Sequence, residues 1–356
     1  MKRDRSIDYE KGFVVAAMVL CHVLQFFGDP GRYPEQYALM SAVNALAFPL
    51  FVFAYGRSAA AAWLDRPWRK AAPRALRSAL RAYIAFIISG TAYKVLCENR
   101  AFGRWAPLNV VLLRSIPGWS EFLIAFALFG LMIALAMPCL RWLADHPLPL
   151  AGVCAGCLAG TLIPYGAVKS PVAGLLIGTT QFACFPVLQY LPFLLAGMYV
   201  GRHGLNRWLT LGAAALTGVS TFVWARFGEP GRFPPTLFWL MAPCLGIAGL
   251  DALARLLSRA AERADWARGV MKPLALLGMN SLYCLLASNL CIFSVSRMQT
   301  LPAYRANEWF PFDLPTGSTP WALAWTAVLL AAIGFMVLIV RGVRPSWFIG
   351  GCSDTV

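Results

Sequence analysis

The feature that most constrains this chain is a series of apolar runs long enough to cross a lipid bilayer. Residues 121–140 and 321–340 are two of them, each about 20 residues long, which is the length that a spanning helix needs. Only 13% of the residues are charged, against roughly 25% in soluble domains, and 59% are hydrophobic. One aqueous core cannot hide this much apolar surface. We therefore predict an all-α integral membrane protein.

Ten segments have the apolar character of a span, and we predict a bundle of about ten transmembrane helices. No cleavage site follows the first run, which we expect to remain in the mature protein. The stretch 167–201, which contains Pro171, Gly174, Gly178 and Pro186, could form one broken helix or a re-entrant segment. With no linker or soluble region apparent, residues 1–356 are interpreted as a single transmembrane domain. The predicted spans are 12–28, 37–56, 77–96, 119–140, 148–166, 182–201, 208–225, 236–254, 273–295 and 320–340.

The basic residues predict the orientation. With the N-terminus inside, about two thirds of the 31 Lys and Arg residues, Arg57 among them, fall in inner segments, which favours cytoplasmic termini at both ends. We expect a multi-pass protein of the inner, or cytoplasmic, membrane. The net charge of +15 could suggest a nucleic-acid partner, but the basic residues sit in short stretches between apolar runs, as in membrane proteins. Membrane lipids, and no nucleic acid, are the expected partners. The longest predicted outer loops, 97–118 and 296–319, are candidates for an extracytoplasmic entrance.

Ten cysteines are scattered, mostly within apolar runs. Cys154 and Cys157 form a CxxC pair, but nothing nearby completes a metal site. Gly152, Gly156 and Gly160 recur at a spacing of four around them, a pattern that suits close helix packing in lipid. We interpret this segment as a packing surface, and we expect no metal and no bound cofactor.

His22 is the histidine with the strongest claim to a function, because it lies inside the first apolar span. A titratable group at membrane depth is costly unless it faces protein or water. Lys11 lies eleven residues earlier on nearly the same helix face, at a rise of about 16 Å. This arrangement suits a phosphate-bearing donor held at the inner side whose reactive end reaches the imidazole. The alternatives are a histidine that hydrogen-bonds a neighbouring helix and a lysine that only snorkels to the interface.

A second candidate group lies at the start of the third span. Pro73 suits a helix start, and Arg74, Arg77 and Arg81 then recur at intervals of three and four on one helix face. Guanidinium groups bind phosphates well, so Arg74 and Arg77 are candidates for donor binding. The alternative is an inner loop whose positive charge serves topology alone.

Polar residues near two other span starts complete the candidates. Asn280 and Ser281 open the ninth predicted span, where hydrogen bonds between helices are the default interpretation. Glu121, at the outer start of the fourth span, is the acid best placed near a site reached from outside, although an interfacial acid without a role is an equal alternative.

Four motifs in order resemble those of the acyltransferase-3 family of membrane acyltransferases. Asp8-x-x-Lys11-Gly12, with His22 following Lys11 after ten residues, is similar to the family's Asp-x-x-Arg-Gly opening and basic-x10-His signature, with Lys for Arg. The segment 49–56 resembles Phe-Phe-x-x-Ser-Gly, with Tyr55 in place of the serine. Arg74-x-x-Arg77 and Gly278-x-x-Ser281-Leu282 are similar to the third-span and late motifs. The family's usual Tyr and His after the late motif are replaced here by Leu285 and Ser288.

The resemblance implies an acyltransferase that moves an acyl group from cytoplasmic acyl-CoA to a hydroxyl of an extracytoplasmic glycan or lipid-linked sugar. The opening motif looks like that of the branch that succinylates or acetylates periplasmic glucans and other envelope polysaccharides. His22 and Glu121 would be catalytic, with His22 acting as a base or passing the acyl group across. Lys11, Arg74 and Arg77 would bind acyl-CoA, and Asp8, Asn280 and Ser281 would support the site.

Two other classes remain as alternatives. A secondary transporter would also place a histidine at the midplane and use broken helices, although no duplicated pattern of interrupted helices is visible. A membrane scaffold would leave His22 without chemistry. The acyl group, the acceptor and the oligomeric state are not specified by the residues.

Overall fold

In the computed structural model of the chain, residues 4–98, 106–300 and 317–343 are described, and their secondary structure is helical, without a strand. A short π-helical turn, Ala60–Leu64, follows the second helix. The helices are α1 Arg5–Phe27, α2 Pro34–Ala59, α3 Trp68–Leu96, α4 Ala106–Val111, α5 Glu121–Asp145, α6 Pro147–Ala159, α7 Pro171–Ile177, α8 Val187–His203, α9 Arg207–Phe227, α10 Leu237–Met241, α11 Cys244–Arg263, α12 Asp265–Met279, α13 Ser281–Thr300 and α14 Thr319–Val343.

Eight helices within the described ranges are long and apolar enough to cross a membrane, so the chain is a multi-pass membrane protein. The predicted spans 148–166 and 182–201 coincide with the shorter helices α6 and α8, of 13 and 17 residues. Of the two predicted entrance loops, residues 99–105 and 301–316 lie outside the described residues. The eight spans are Arg5–Phe27, Pro34–Leu64, Trp68–Leu96, Glu121–Asp145, Arg207–Phe227, Leu237–Arg263, Ser281–Met298 and Thr319–Val340.

Helix boundaries differ from the sequence predictions at three places. α3 begins at Trp68, so Pro73, the predicted start, lies inside the helix on an exposed surface. The predicted span 273–295 is divided at Asn280, which has φ −119° and ends α12. The stretch 167–201 contains two separate helices, because α7 ends at Gly178, whose φ of +91° favours glycine.

The chain divides into two compact units. The terminal unit comprises Met1–Ser41 and Ala254–Val356, and the central unit comprises Ala42–Leu253. In the terminal unit, α1 packs against α12, α13 and α14. The loop after α1 is tied to the start of α14 by the fully buried Gln36, whose amide donates to the Gly317 carbonyl.

A close glycine crossing joins α1 to α12 in the terminal unit. A Cβ atom on Gly12 would lie 2.2 Å from the Leu274 carbonyl oxygen, and one on Gly278 would lie 1.7 Å from that of Asp8. Neither position can accept a side chain unless the helices separate. The two glycines of the opening and late motifs therefore bring the backbones of α1 and α12 together.

The central unit has its own glycine crossing, between α2 and α8. A Cβ atom on Gly56 would lie 2.1 Å from the Leu194 carbonyl oxygen, and one on Gly197 would lie 2.0 Å from that of Phe53. The predicted packing surface on α6 is wrong for Gly152 and Gly156, which face open space with no atom within 4 Å. The spacing of glycines along a helix does not by itself show which face meets another helix.

Arg57, counted from the sequence among the basic residues of an inner segment, is buried in the structure. It lies within α2, is 1% exposed, and its Nη1 atom is 2.5 Å from Oδ1 of Asp251, which is fully buried on α11. The ion pair neutralises two charges inside the central unit. Arg57 therefore stabilises the interior, because a buried charge requires a partner.

Candidate functional site

His22 lies in a buried part of α1 and is 9% exposed. Its Nδ1 atom is 3.0 Å from the Oδ1 atom of Asn289, a fully buried residue of α13. His22 therefore faces protein, and a hydrogen bond to a neighbouring helix is also what the structural alternative predicts. Imidazole is a common general acid and base, because either of its two nitrogens can carry a proton. Asn289 lies within the ninth predicted span, and its polarity in an apolar segment is the signal by which the sequence could have marked it as a partner of His22.

Asp8 and Lys11 lie on α1 with His22. Lys11 is partly exposed and Asp8 is 5% exposed, and the eleven-residue separation of Lys11 from His22 corresponds to about 16 Å along the helix. The Asp8 carbonyl contacts α12 at Gly278, two residues before Asn280. The opening and late motifs, far apart in sequence, thus meet at one crossing.

Asn280 and Ser281 form the junction between α12 and α13. The Asn280 side chain donates a hydrogen bond of 2.7 Å to the Leu276 carbonyl, one of the carbonyls that the end of α12 leaves without an amide donor. Ser281 is the first residue of α13 and is partly buried. The junction sets where α13 begins and therefore the height of Asn289 along it.

In the central unit, α3 and α5 pack closely against each other. Arg74 and Arg77 are exposed on α3, and Arg81 is partly buried. Leu76 and Leu80, beside them, are also exposed, at 51% and 54%. The arginines therefore mark the point where a polar surface of α3 gives way to an apolar one, which is where a phosphate group at a membrane boundary could be bound.

Glu121 is the first residue of α5 and is 7% exposed. The preceding Trp119 has a left-handed φ of +64°, a backbone conformation that costs about 1–3 kcal/mol and that often occurs at functional sites. Ser120 is hydrogen-bonded to Ser89 of α3 over 2.8 Å. The start of α5 is thus held firmly against α3.

One oxygen of the Glu121 carboxylate, Oε2, is buried and has no hydrogen-bond partner among the residues that the structure describes. Arg232 interacts electrostatically with this carboxylate without forming an ion pair, and Cys184 lies in the same neighbourhood. The Arg232 guanidinium sits over the rings of Phe233 and Phe185, 4.5 and 5.6 Å from their centroids. Nothing in the sequence around Arg232 marks it as a neighbour of Glu121, because that proximity is tertiary.

Glu121 lies at one end of the α3–α5 pair, and Arg74 and Arg77 lie at the other. Ser89, which contacts the start of α5, is twelve residues from Arg77, or about 18 Å along the helix. At the other end, the Trp68 indole donates to the Ala134 carbonyl of α5 over 2.8 Å. Glu121 and the arginines therefore cannot contact one small group at the same time, although a long substrate could reach from one toward the other.

Among the described residues, no group of three or more His, Cys, Asp or Glu side chains could hold a metal ion. The chemistry available to these residues is acid–base and electrostatic. Imidazole, carboxylate and guanidinium groups provide the functions that acyl transfer between oxygen and sulfur needs.

Comparison with known proteins agrees with this chemistry. A family model described as an acyltransferase domain, that of the acyltransferase-3 family, matches residues 4–341, which is nearly the whole chain. No curated protein matches the chain. The match includes all eight candidate site residues, and it gives no support to the alternative of a secondary transporter. The chain therefore belongs to the acyltransferase-3 family and is a membrane acyltransferase that transfers acyl groups other than aminoacyl groups.

Proposed function

We propose that the protein transfers an acyl group from cytoplasmic acyl-CoA to a hydroxyl of an extracytoplasmic glycan or lipid-linked sugar. It would act in the inner membrane, crossing it about ten times with both termini in the cytoplasm. The observation that carries the proposal is the buried His22 on a helix long enough to span a membrane, held by a hydrogen bond to Asn289. A proton-exchanging group at that depth is where a donor from one side and an acceptor from the other could meet.

In the proposed reaction, the imidazole of His22 takes the proton of the acceptor hydroxyl. The hydroxyl oxygen then forms a bond to the thioester carbonyl carbon, and the bond from that carbon to sulfur breaks. The leaving thiolate takes up the proton, so the products are an O-acyl ester and free CoA. Alternatively, His22 itself carries the acyl group briefly, with the same overall balance.

Cations near the starts of α1 and α3 are proposed to bind the donor. Lys11 precedes His22 on α1, and Arg74 and Arg77 are exposed near the start of α3. The phosphates of CoA carry several negative charges, which guanidinium and ammonium groups bind well. No resident cofactor is required, because acyl-CoA is itself a substrate.

The acceptor is proposed to lie near Glu121. A buried carboxylate oxygen can accept a hydrogen bond from a sugar hydroxyl, and the partly exposed rings of Trp119 and Phe233 suit the apolar face of a sugar. Such a reaction would add O-acyl groups, for example O-acetyl groups, to a polysaccharide of the cell envelope. Asp8, Asn280 and Ser281 would support the site through the α1–α12 crossing and the α12–α13 junction.

The test is mass spectrometry of envelope glycans from cells with the wild-type protein, without it, and with His22→Gln. We expect an acyl mass on a glycan to disappear in the last two, because loss of a general base typically costs about 10²- to 10⁴-fold. His146→Gln is the matched control, since His146 is exposed at the end of α5 and should keep full acylation.

Two outcomes would contradict the proposal. Full acylation by His22→Gln would assign the histidine a structural role only. An unchanged glycan profile in cells that lack the protein would exclude an extracytoplasmic glycan as the acceptor. Membrane content of each variant, measured by immunoblot, separates loss of chemistry from loss of protein.

A further inference from the structure

We propose that Asn289 is a positioning residue that fixes the tautomer of His22, so that the Nε2 atom holds the lone pair used in acyl transfer. The inference rests on the proposed function of His22 and adds a residue to which no role has been given. It is carried by one contact, the 3.0 Å separation of His22 Nδ1 from Asn289 Oδ1.

The chemistry of the two atoms determines where the proton is. The Oδ1 atom of an asparagine is a carbonyl oxygen and can only accept a hydrogen bond. The Nδ1 atom of His22 must therefore carry a proton and donate it. In a neutral imidazole with a proton on Nδ1, the Nε2 atom is unprotonated. That nitrogen is the one able to take a proton from a hydroxyl or to attack a thioester.

Burial makes this choice of tautomer energetically significant. Asn289 is fully buried and His22 is 9% exposed. In such surroundings, a donor or acceptor left without its partner costs about 1–3 kcal/mol. The opposite tautomer would place an imidazole lone pair against the amide oxygen, and the bond could be kept only if the buried Asn289 amide turned over to present its NH2 group. An energy difference of that size leaves one tautomer dominant, because each 1.4 kcal/mol is about tenfold in population.

An amide partner orients the ring without adding charge. A carboxylate in the same place would stabilise the imidazolium and would bring a second ionised group into a buried region. The amide orients the ring through a weaker, uncharged hydrogen bond and does not favour the imidazolium over the neutral imidazole. This suits a residue that must begin each reaction cycle as a free base.

A second contact fixes the register of the two helices that carry the pair. Phe26, one turn after His22 on α1, has its ring centroid 5.7 Å from that of Phe293, one turn after Asn289 on α13. Phe293 is fully buried. The aromatic pair thus holds α1 and α13 at the height at which Asn289 reaches the imidazole.

The first measurement is independent of activity. The chain has three histidines, so the purified protein with ¹⁵N-labelled histidine gives a simple spectrum, and His22→Gln identifies the His22 signals. We expect the wild-type His22 to show a protonated Nδ1 and an unprotonated Nε2. Asn289→Ala should yield a mixture of tautomers. Asn289→Asp, which keeps an acceptor oxygen but stabilises the imidazolium, should keep Nδ1 protonated and should extend protonation of Nε2 to higher pH. A protonated Nε2 in the neutral wild-type protein would overturn the inference.

The second measurement is kinetic. We expect Asn289→Ala to lower kcat roughly 10- to 100-fold, with little change in KM for acyl-CoA. This is the size of effect seen when the partner that orients a functional imidazole is removed. Ser288→Ala is the matched control, because that hydroxyl is equally buried but donates only to Leu285 of its own helix, over 2.9 Å. Wild-type kcat in Asn289→Ala would overturn the inference.

The two measurements separate this inference from the proposed function. If His22→Gln keeps full activity, the proposed role of His22 fails, whereas the tautomer spectrum still reports on Asn289. If His22→Gln is inactive but Asn289→Ala has normal kcat and an unchanged spectrum, only the positioning role fails.

Discussion

The terminal and central units use the same device to bring helices together but differ in the polar pair that they bury. Each has a crossing in which glycines on two helices approach the partner's backbone, Gly12 and Gly278 in one, Gly56 and Gly197 in the other. The terminal unit buries the pair His22 and Asn289, in addition to the acidic side chains of Asp8 and Glu10. The central unit buries an ion pair, Arg57 and Asp251.

The two buried pairs differ in whether they can take part in proton transfer. A buried arginine does not give up its proton, so the pair that it forms with Asp251 can stabilise structure but cannot take part in proton transfer. An imidazole bonded through one nitrogen retains chemistry at the other. A buried polar group in a membrane protein is therefore not by itself a sign of function. A group that can gain and lose a proton is a better candidate than one that cannot.

The largest expected effect is a loss of stability when the ion pair of the central unit is broken. Arg57→Ala leaves Asp251 buried without its cation, and we expect a loss of about 3–5 kcal/mol of unfolding free energy. The double variant Arg57→Met with Asp251→Leu removes both charges and should recover most of that stability. Thermal unfolding in detergent, followed by tryptophan fluorescence, measures both. Equal instability of the single and double variants would contradict a role based on charge pairing.

The glycine crossings provide the next largest effect. Gly278→Ala and Gly197→Ala place a Cβ atom 1.7 and 2.0 Å from a backbone oxygen, and each should cost at least about 1–3 kcal/mol, the range for overpacking. Gly156→Ala is the control, since no atom lies within 4 Å and alanine favours a helix by up to about 1 kcal/mol. The change in unfolding free energy should therefore be a loss for Gly278→Ala and Gly197→Ala and a gain for Gly156→Ala. Uniform effects at all three glycines would show that the crossings are not special.

A smaller effect concerns donor binding and leaves stability unchanged. Arg74→Ala with Arg77→Ala should weaken acyl-CoA binding at least about tenfold, since a hydrogen bond to a charged group contributes about 1.5–3 kcal/mol. Both side chains are exposed, so the unfolding temperature should not move. Titration calorimetry with a non-hydrolysable acyl-CoA analogue measures the affinity. Arg207→Ala, another exposed arginine at a helix start, controls for net charge. An equal loss of affinity in that control would assign the effect to general electrostatics.

The smallest effect tests the junction that positions α13. Asn280→Ala removes the hydrogen bond to Leu276 and should cost about 1 kcal/mol of stability. Since the junction sets the height of Asn289, we also expect a modest fall in kcat, smaller than that of Asn289→Ala. If kcat falls more in Asn280→Ala than in Asn289→Ala, Asn280 contacts the reacting groups directly.

Sequence reasoning located His22, Glu121 and the positions of most long helices because these depend on local properties. An apolar run of sufficient length specifies a span, and a histidine inside it stands out against its neighbours. The same reasoning placed Arg57 in an inner segment, because a charge beside an apolar run looks the same whether it faces water or a buried partner. Only the position of Asp251, 194 residues further along the chain, decides between the two.

By itself, the sequence determined that the chain is a helical membrane protein, which segments are apolar enough to span, and which acyltransferase family its motifs resemble. The tertiary structure decided which glycines bring helices together, which polar residues are paired, and that Asn289 lies within hydrogen-bonding distance of His22. The reason is the range of the interactions. Hydrophobic length and helix periodicity act between near neighbours in the chain, whereas a hydrogen bond between residues 267 positions apart exists only after the helices have packed.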